Sequence, residues 1–348
     1  MTRETPISVL VIDDSAANRR AITRILETAP GIRVVDRAAD GEEGLRKAVE
    51  LKPDVITLDL EMPRLDGYSF LRLLTARAPT PVIVLSSYRH PSDVFKALQL
   101  GAFDFVAKPQ GRDAETLGSV RAELIEKVRS VRFVRRDEPA APARPSPAKG
   151  KAPKPEAPQI IGIGASTGGP PAVQRVLESL VGLPVCVLVA QHMPARFTEA
   201  FAHRLNQALS LRVSEARSGD PIEPGRVYVA PGGEQLELAQ KGSLLQLAVK
   251  RPAPTDRHAP SVDRLFVSLA QQLGPKARGV VLTGMGDDGA KGVLAMGRAG
   301  AEVWAEAEST AVVFGMPQAA IATGQVRRVL PLDELGPALA VTLRTRRP

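Results

Sequence analysis

Three turns in the second half of the chain carry residue types that could perform hydrolysis. The first is IGASTGGP, residues 163–170, in which Gly164, Ser166 and Gly168 have the G-x-S-x-G spacing of a nucleophile elbow. It follows the apolar run 159–162, so a strand is expected to enter the turn and a helix to leave it. Small residues on both sides let the chain bend sharply and project a serine hydroxyl from the sheet edge. Backbone amides of the turn and helix start can then stabilise an oxyanion. Gly162, Gly164 and Gly168 also approach a dinucleotide fingerprint, which would need an acid after the second strand to hold a ribose. The second strand, 185–190, instead ends in Gln191-His192-Met193-Pro194. A histidine stands where the ribose acid would be.

His192 is the best-placed base for Ser166, because its strand is expected to neighbour the serine strand. His90 lies in the first half of the chain, His203 in an amphipathic helix, and His258 in a loop where it could line a pocket. An orienting acid is offered by VVLTGMGDDGAKG, a third strand feeding a glycine-rich turn with Asp287 and Asp288. Each aspartate could instead cap the following helix, but three strand ends that together supply serine, histidine and aspartate are harder to dismiss as capping. The order serine, histidine, aspartate differs from that of α/β-hydrolases.

A second set of reactive groups ends the strands of the first half: Asp13 and Asp14, then Asp59, then Ser86, then Lys108. Three neighbouring carboxylates repel one another unless a cation lies between them, and a hard divalent ion such as Mg²⁺ suits oxygen ligands. The lysine and the hydroxyl would bind the oxygens of an anion carried by one carboxylate. A phosphoryl group on Asp59 satisfies all of these demands.

These residues need sheets to position them. In the first half, strand-like runs at 9–12, 34–37, 55–58, 82–85 and 103–107 alternate with amphipathic stretches at 17–28, 41–50, 69–76 and 91–100. The alternation predicts a five-stranded parallel sheet with helices on both faces and functional residues at the carboxyl strand ends. Asp66-Gly67 reads as a turn. The second half alternates again: strands at 160–163, 185–190, 279–282 and 302–305, and helices at 171–179, 195–208, 289–299 and 317–323. Shorter strand-and-turn units around 225–230 and 236–247 add some antiparallel β. The expected fold class is therefore α/β, with two doubly wound domains. Between them, residues 139–158 contain seven prolines among alanines and lysines, a composition that cannot bury enough apolar surface to fold. The expected layout is a first domain at 1–130, a linker at 131–158 and a second domain at 159–348.

The 348 residues suit two domains, and the formal charge of +8 raises the question of nucleic acid. Residues 129–158 hold eight basic against three acidic residues, so most of the excess lies in the tether, and no recognition helix stands out. No nucleic-acid partner is expected. No apolar run reaches the roughly 20 residues of a membrane span, the start lacks a signal-peptide pattern, and a single cysteine, Cys186, suits a reducing compartment. A cytoplasmic location without membrane insertion is expected, with Cys186 in the core.

The motifs VLVIDDS, ITLDLEMPRLDG, VIVLSS and FDFVAKP resemble a response-regulator receiver domain over roughly residues 7–128. The resemblance implies phosphotransfer from a chemotaxis histidine kinase to Asp59. It implies Mg²⁺ held by Asp14, Asp59, the Glu61 carbonyl and, through water, Asp13. Ser86 and Lys108 would read the phosphoryl group, and Phe105 would move with it. SSYRHPSD departs from the small polar residues usual after the serines. In the second half, IGASTGGP, AQHMPARFTEAFAHRLN, VYVAPGG, HAPSVDRLF and LTGMGDDGAKG resemble the catalytic domain of a CheB-type protein-glutamate methylesterase over nearly all of 159–345. That likeness implies a triad of Ser166, His192 and Asp288, with the Met285 amide at the oxyanion, Thr167 beside the nucleophile and His258 near the substrate groove. No cofactor is implied for the hydrolytic site.

The function so implied is phosphorylation-activated hydrolysis of glutamate methyl esters, with deamidation of glutamines, on methyl-accepting chemoreceptors. The unphosphorylated receiver is expected to cover the site, and a monomer is expected. Two other classes remain as alternatives. A DNA-binding regulator would draw on the charge but lacks a helix-turn-helix signal; a nucleotide-binding effector would draw on the glycine turn but lacks the ribose acid.

Overall fold

The computed structural model describes residues 5–77, 80–86, 91–108, 114–133 and 159–345. The expected linker from 134 onward, His90 and the stretch after Ser86 lie outside the described residues. The chain divides into two compact units, Met1–Val134 and Arg135–Pro348.

The first unit runs β1 (Ile7–Ile12), α1 (Ala16–Glu27), β2 (Ile32–Ala38), α2 (Gly41–Leu51), β3 (Val55–Asp59), α3 (Gly67–Arg77), β4 (Val82–Ser86), α4 (Pro91–Gln99), β5 (Asp104–Ala107) and α5 (Ala114–Ser130). The sheet order is β2-β1-β3-β4-β5, parallel throughout. Every residue of β3, β4 and β5 is buried, as continuous apolar strands covered on both faces must be. Asp66 differs from the expected turn. Its carboxylate accepts the Ser69 N–H at 2.7 Å and caps α3, because Gly67 already begins the helix.

The second unit runs β6 (Gln159–Ala165), α6 (Gly169–Glu178), β7 (Val185–Gln191), α7 (Phe197–Ala208), β8 (Arg212–Glu215), β9 (Arg226–Val229), β10 (Gln235–Lys241), β11 (Leu244–Lys250), α8 (Val262–Leu273), β12 (Arg278–Val281), α9 (Ala290–Arg298), β13 (Glu302–Glu306), α10 (Met316–Ala322), β14 (Val326–Leu330) and α11 (Leu332–Thr345). Seven strands form a parallel sheet ordered β14-β13-β12-β6-β7-β9-β8, and β10 and β11 form an antiparallel hairpin. Both domains are thus α/β. The edge strand β14 has no counterpart in the sequence pattern, since its Arg327, Arg328 and Val329 face solvent. The Arg328 guanidinium lies 4.9 Å over the Trp304 ring, so its stem covers the edge that its charge keeps open to water.

Chain order reverses at β6: the fold grows toward β7, β9 and β8, then crosses to β12 on the other side. The crevice outside the carboxyl ends at such a reversal is where open α/β sheets place ligands. The glycines of β6 serve packing there. A Cβ on Gly162 would fall 2.5 Å from Leu269 Cδ1, and one on Gly164 would overlap the Val262 side chain. Helix α8 can therefore lie directly on the strand. Only Gly168 needs a conformation that glycine favours, with φ +74° where the turn enters α6.

Glu306, at the end of β13, is fully buried. Its carboxylate accepts the Thr283 N–H at 2.8 Å and the Thr310 hydroxyl at 3.0 Å, yet burial still pushes it from 4.5 up to about 7. A carboxyl raised in the folded state costs no stability below its unfolded value. The cost grows between the two values and is complete above the folded one, at about 3 kcal/mol. Glu306→Gln keeps an acceptor for Thr283 and is expected to unfold at higher temperature than wild type near pH 8.5, with most of that advantage lost near pH 5 and all of it below about pH 4. Trp304 is the sole tryptophan, so its fluorescence follows this unit alone; parallel pH profiles for the two proteins would contradict the prediction.

Candidate active site

Ser166 and His192 follow directly on paired strand ends, because Ala165 of β6 is in register with Gln191 of β7. The His192 N–H donates to the Ala165 carbonyl at 3.0 Å, and the Ser166 N–H to the Thr283 carbonyl just beyond β12 at 3.0 Å. Three neighbouring strands thus bring the serine, histidine and glycine-rich turns together. Gly284 admits no side chain, as a Cβ there would lie 2.8 Å from Ser166 Cβ and overlap Met316 Sδ. The turn carrying Met285 consequently packs against the serine. Among the described residues the Ser166 hydroxyl makes no hydrogen bond, and such contacts commonly tighten only with substrate present.

His192 Nε2 lies 2.7 Å from Asp288 Oδ2. A carboxylate can only accept, so Nε2 carries the proton and Nδ1 is left with the lone pair. The nitrogen available to Ser166 is therefore Nδ1, the reverse of the arrangement in which Nε2 serves the serine. Asp288 is 5% exposed and fully engaged. Besides His192 it accepts the Val262 N–H at 2.8 Å, the Asp263 N–H at 3.0 Å and the Ser261 hydroxyl at 3.0 Å. Burial pushes this carboxyl up, but the histidine and the amides at the start of α8 outweigh it and hold it far below the usual range. It stays ionised.

The capping reading of the Asp287-Asp288 pair takes an unforeseen form. Asp288 caps α8, a helix preceding it in the chain, whereas α9 is capped by Asp263, whose Oδ1 accepts the Gly289 and Gly292 N–H groups at 2.9 and 2.8 Å. Asp287 is exposed and faces Arg257 at 3.6 Å, a solvated pair of small worth. His203 is exposed on α7. Cys186 is buried in β7, which pushes its thiol up to about 12, so it is inert core.

Thr167 is buried beside the serine, and its carbonyl accepts the Thr283 hydroxyl at 2.9 Å. His258 is half-buried with its ring stacked on His192. Sequence reasoning missed Gln191, Thr283, Ser261 and Glu306. Gln191 Nε2 donates to the Ser166 carbonyl at 2.8 Å and the His192 carbonyl at 3.2 Å, binding the two turns together. Its place directly before His192 was the available signal. Thr283 shares the motif of Asp288, but its role depends on a strand pairing that spacing does not reveal.

In the first unit the carboxylates of Asp13, Asp14 and Asp59 offer oxygens within 4.8 Å of one another. Lys108 Nζ reaches Asp59 Oδ2 at 2.6 Å and Asp13 Oδ2 at 3.0 Å. Burial raises the Asp59 carboxyl despite Lys108, with Asp13 adding to the rise. Burial lowers Lys108, but the two carboxylates more than reverse this. Such a cluster of hard oxygens suits a divalent cation such as Mg²⁺. The Lys108 N–H donates to the Ser86 carbonyl at 2.7 Å, which draws the ends of β4 and β5 together with Ser86 buried between them. Glu61 is exposed, its N–H 3.4 Å from Asp59 Oδ1. Phe105 is buried in β5, with the Lys127 ammonium 4.9 Å over its ring.

Comparison with known proteins gives the family of each unit. Residues 161–339 match the CheB methylesterase family and residues 9–117 the response regulator receiver domain. The chain is 61% identical, over the whole of both proteins, to protein-glutamate methylesterase/protein-glutamine glutaminase 1 of Myxococcus xanthus. It is 48% identical to protein-glutamate methylesterase/protein-glutamine glutaminase 3 of Geobacter sulfurreducens, covering 94% of this chain and 95% of that one. The crystal structure of the Thermotoga maritima CheB methylesterase catalytic domain superimposes with a TM-score of 0.52 at 35% identity, over 54% of this chain and all of that one. With one domain at each end of the chain matched and relatives aligned along its full length, this protein belongs to the CheB methylesterase family and carries a response regulator receiver domain at its front.

Proposed function

We propose that the chain is a protein-glutamate methylesterase and protein-glutamine glutaminase of methyl-accepting chemoreceptors, working in the cytoplasm and switched on by phosphorylation. Its layout is a receiver at 1–130, a linker at 131–158 and a catalytic domain at 159–348. The observation that carries the catalytic part is the 2.7 Å contact of His192 Nε2 with Asp288, on the strand end next to Ser166. His192 Nδ1 takes the Ser166 proton as Oγ attacks the ester carbonyl. The oxyanion so formed is met by the Met285 amide beside Gly284, with Thr167 flanking the serine. Asp288 stabilises the imidazolium without itself taking the proton. The imidazolium protonates the departing methoxide and methanol leaves the acyl-enzyme. A water, deprotonated by the same nitrogen, then frees glutamate and restores the Ser166 hydroxyl. Glutamine follows the same route with ammonia as leaving group.

Regulation rests on Asp59. Asp14, Asp59, the Glu61 carbonyl and, through water, Asp13 would hold Mg²⁺, which would supply charge neutralisation for a phosphoryl group donated by a chemotaxis histidine kinase. Lys108 and Ser86 would engage the added oxygens, and Phe105 would respond to them.

Ser166→Ala is expected to lower methanol release from methylated receptor membranes by at least about 10⁴-fold with the fold intact; retained release would overturn the triad. With a small-molecule phosphodonor, wild type should be activated and Asp59→Asn should not, and equal activation of both would remove Asp59 from the switch. Chelation of divalent cations should abolish that activation while leaving basal hydrolysis unchanged, whereas loss of the basal rate would place a metal in the hydrolytic site.

A further inference from the structure

The His192 ring has a neighbour that the triad chemistry does not use. The His258 imidazole lies parallel to it, with centroids 4.5 Å apart and planes inclined by 7°. This spacing is that of a stacked aromatic pair. The segment presenting His258 is tied down at several points. Gln235, 1% exposed, donates from Nε2 to the His258 carbonyl at 2.7 Å and to Asp256 Oδ2 at 3.2 Å. Its Oε1 accepts the Ser261 N–H at 2.8 Å, and Ser261 in turn donates to Asp288. Arg264 holds Asp256 through Nε at 3.3 Å and Nη2 at 2.9 Å, and the Gly233 N–H donates to the Ala259 carbonyl at 3.0 Å. One braced loop therefore supplies both a hydrogen bond to the triad carboxylate and a flat ring against the triad base.

We infer that His258 is a positioning residue for His192, its ring face fixing the plane in which Nε2 meets Asp288 and Nδ1 meets the nucleophile. A single hydrogen bond at Nε2 leaves the imidazole free to pivot about that contact. A parallel ring removes this freedom and keeps Nδ1 aimed at Ser166. The same face lies against His192 when it becomes an imidazolium, and a π-face attracts a cation. The stack thus acts on the transition state more than on substrate binding, and it should appear in kcat and not in KM. The inference rests on the reading of Ser166, His192 and Asp288 as the triad.

The test compares His258→Ala, His258→Leu and His258→Phe in the full-length protein, with kcat and KM measured for methanol release from methylated receptor membranes. The imidazole ¹⁵N resonances of His192 are recorded in parallel. Alanine and leucine should each lower kcat on the order of tenfold with KM nearly unchanged, and phenylalanine, which keeps a flat ring, should restore most of the rate. The neutral His192 tautomer should become mixed in the alanine and leucine variants and stay protonated at Nε2 in the phenylalanine variant. Wild-type kcat in His258→Ala would overturn the inference. So would a phenylalanine variant no better than leucine, or a rise in KM common to all three, which would mark a hydrogen bond to substrate. If alanine fails to fold, the leucine and phenylalanine variants still decide the matter. Ser166→Ala in the same assay separates the two levels: activity there removes the triad itself, whereas an inactive Ser166→Ala beside a fully active His258→Ala removes only the stack.

Discussion

A buried carboxylate must be compensated on every side or it will not stay charged, and the catalytic unit is organised around meeting that demand at Asp288. The side chain is removed from water at a helix start, where amide N–H groups lack partners within the helix. Two of those amides, a serine hydroxyl and the His192 ring absorb its charge. The fold thereby keeps an anion against the nitrogen that must hold a proton, and the other ring nitrogen is left with its lone pair. Asp263 returns the favour by capping α9, the helix that follows Asp288. The two helices are locked together by reciprocal caps, so the acid cannot shift without unseating both.

The same helix explains the glycines of the serine strand. Gly162 and Gly164 let α8 rest against β6 without intervening side chains, which brings the amides of its first turn within reach of Asp288. A motif that reads in one dimension as a phosphate cradle thus owes two of its glycines to helix–strand contact. Only Gly168 serves the bend itself. Thr283 and Gln191 finish the arrangement by linking the serine turn to the strands on either side, and the Glu306 carboxyl holds Thr283 from below.

The receiver meets a comparable electrostatic problem in another way. Asp13 and Asp59 are buried next to each other, and the Lys108 ammonium bridges them. One cation against a cluster of three acids leaves an excess of negative charge that a divalent ion can neutralise. Both units place their reactive groups at the carboxyl ends of parallel strands next to a reversal of strand order, β1 with β3 in one and β6 with β12 in the other.

Residue types and periodicity alone determined the α/β class, the five receiver strands and the assembly of serine, histidine and aspartate on separate strand ends. Hydrophobic alternation and glycine-rich turns are local signals, and the positions they mark are set by local backbone geometry. The sequence missed β14 because an edge strand with two exposed arginines has no apolar face to display. It also left open which ring nitrogen of His192 meets Asp288, which helix Asp288 caps and what lies against the His192 ring. Those are contacts between residues up to about a hundred positions apart, and only the tertiary structure decided them, since only strand order and helix packing bring such groups together.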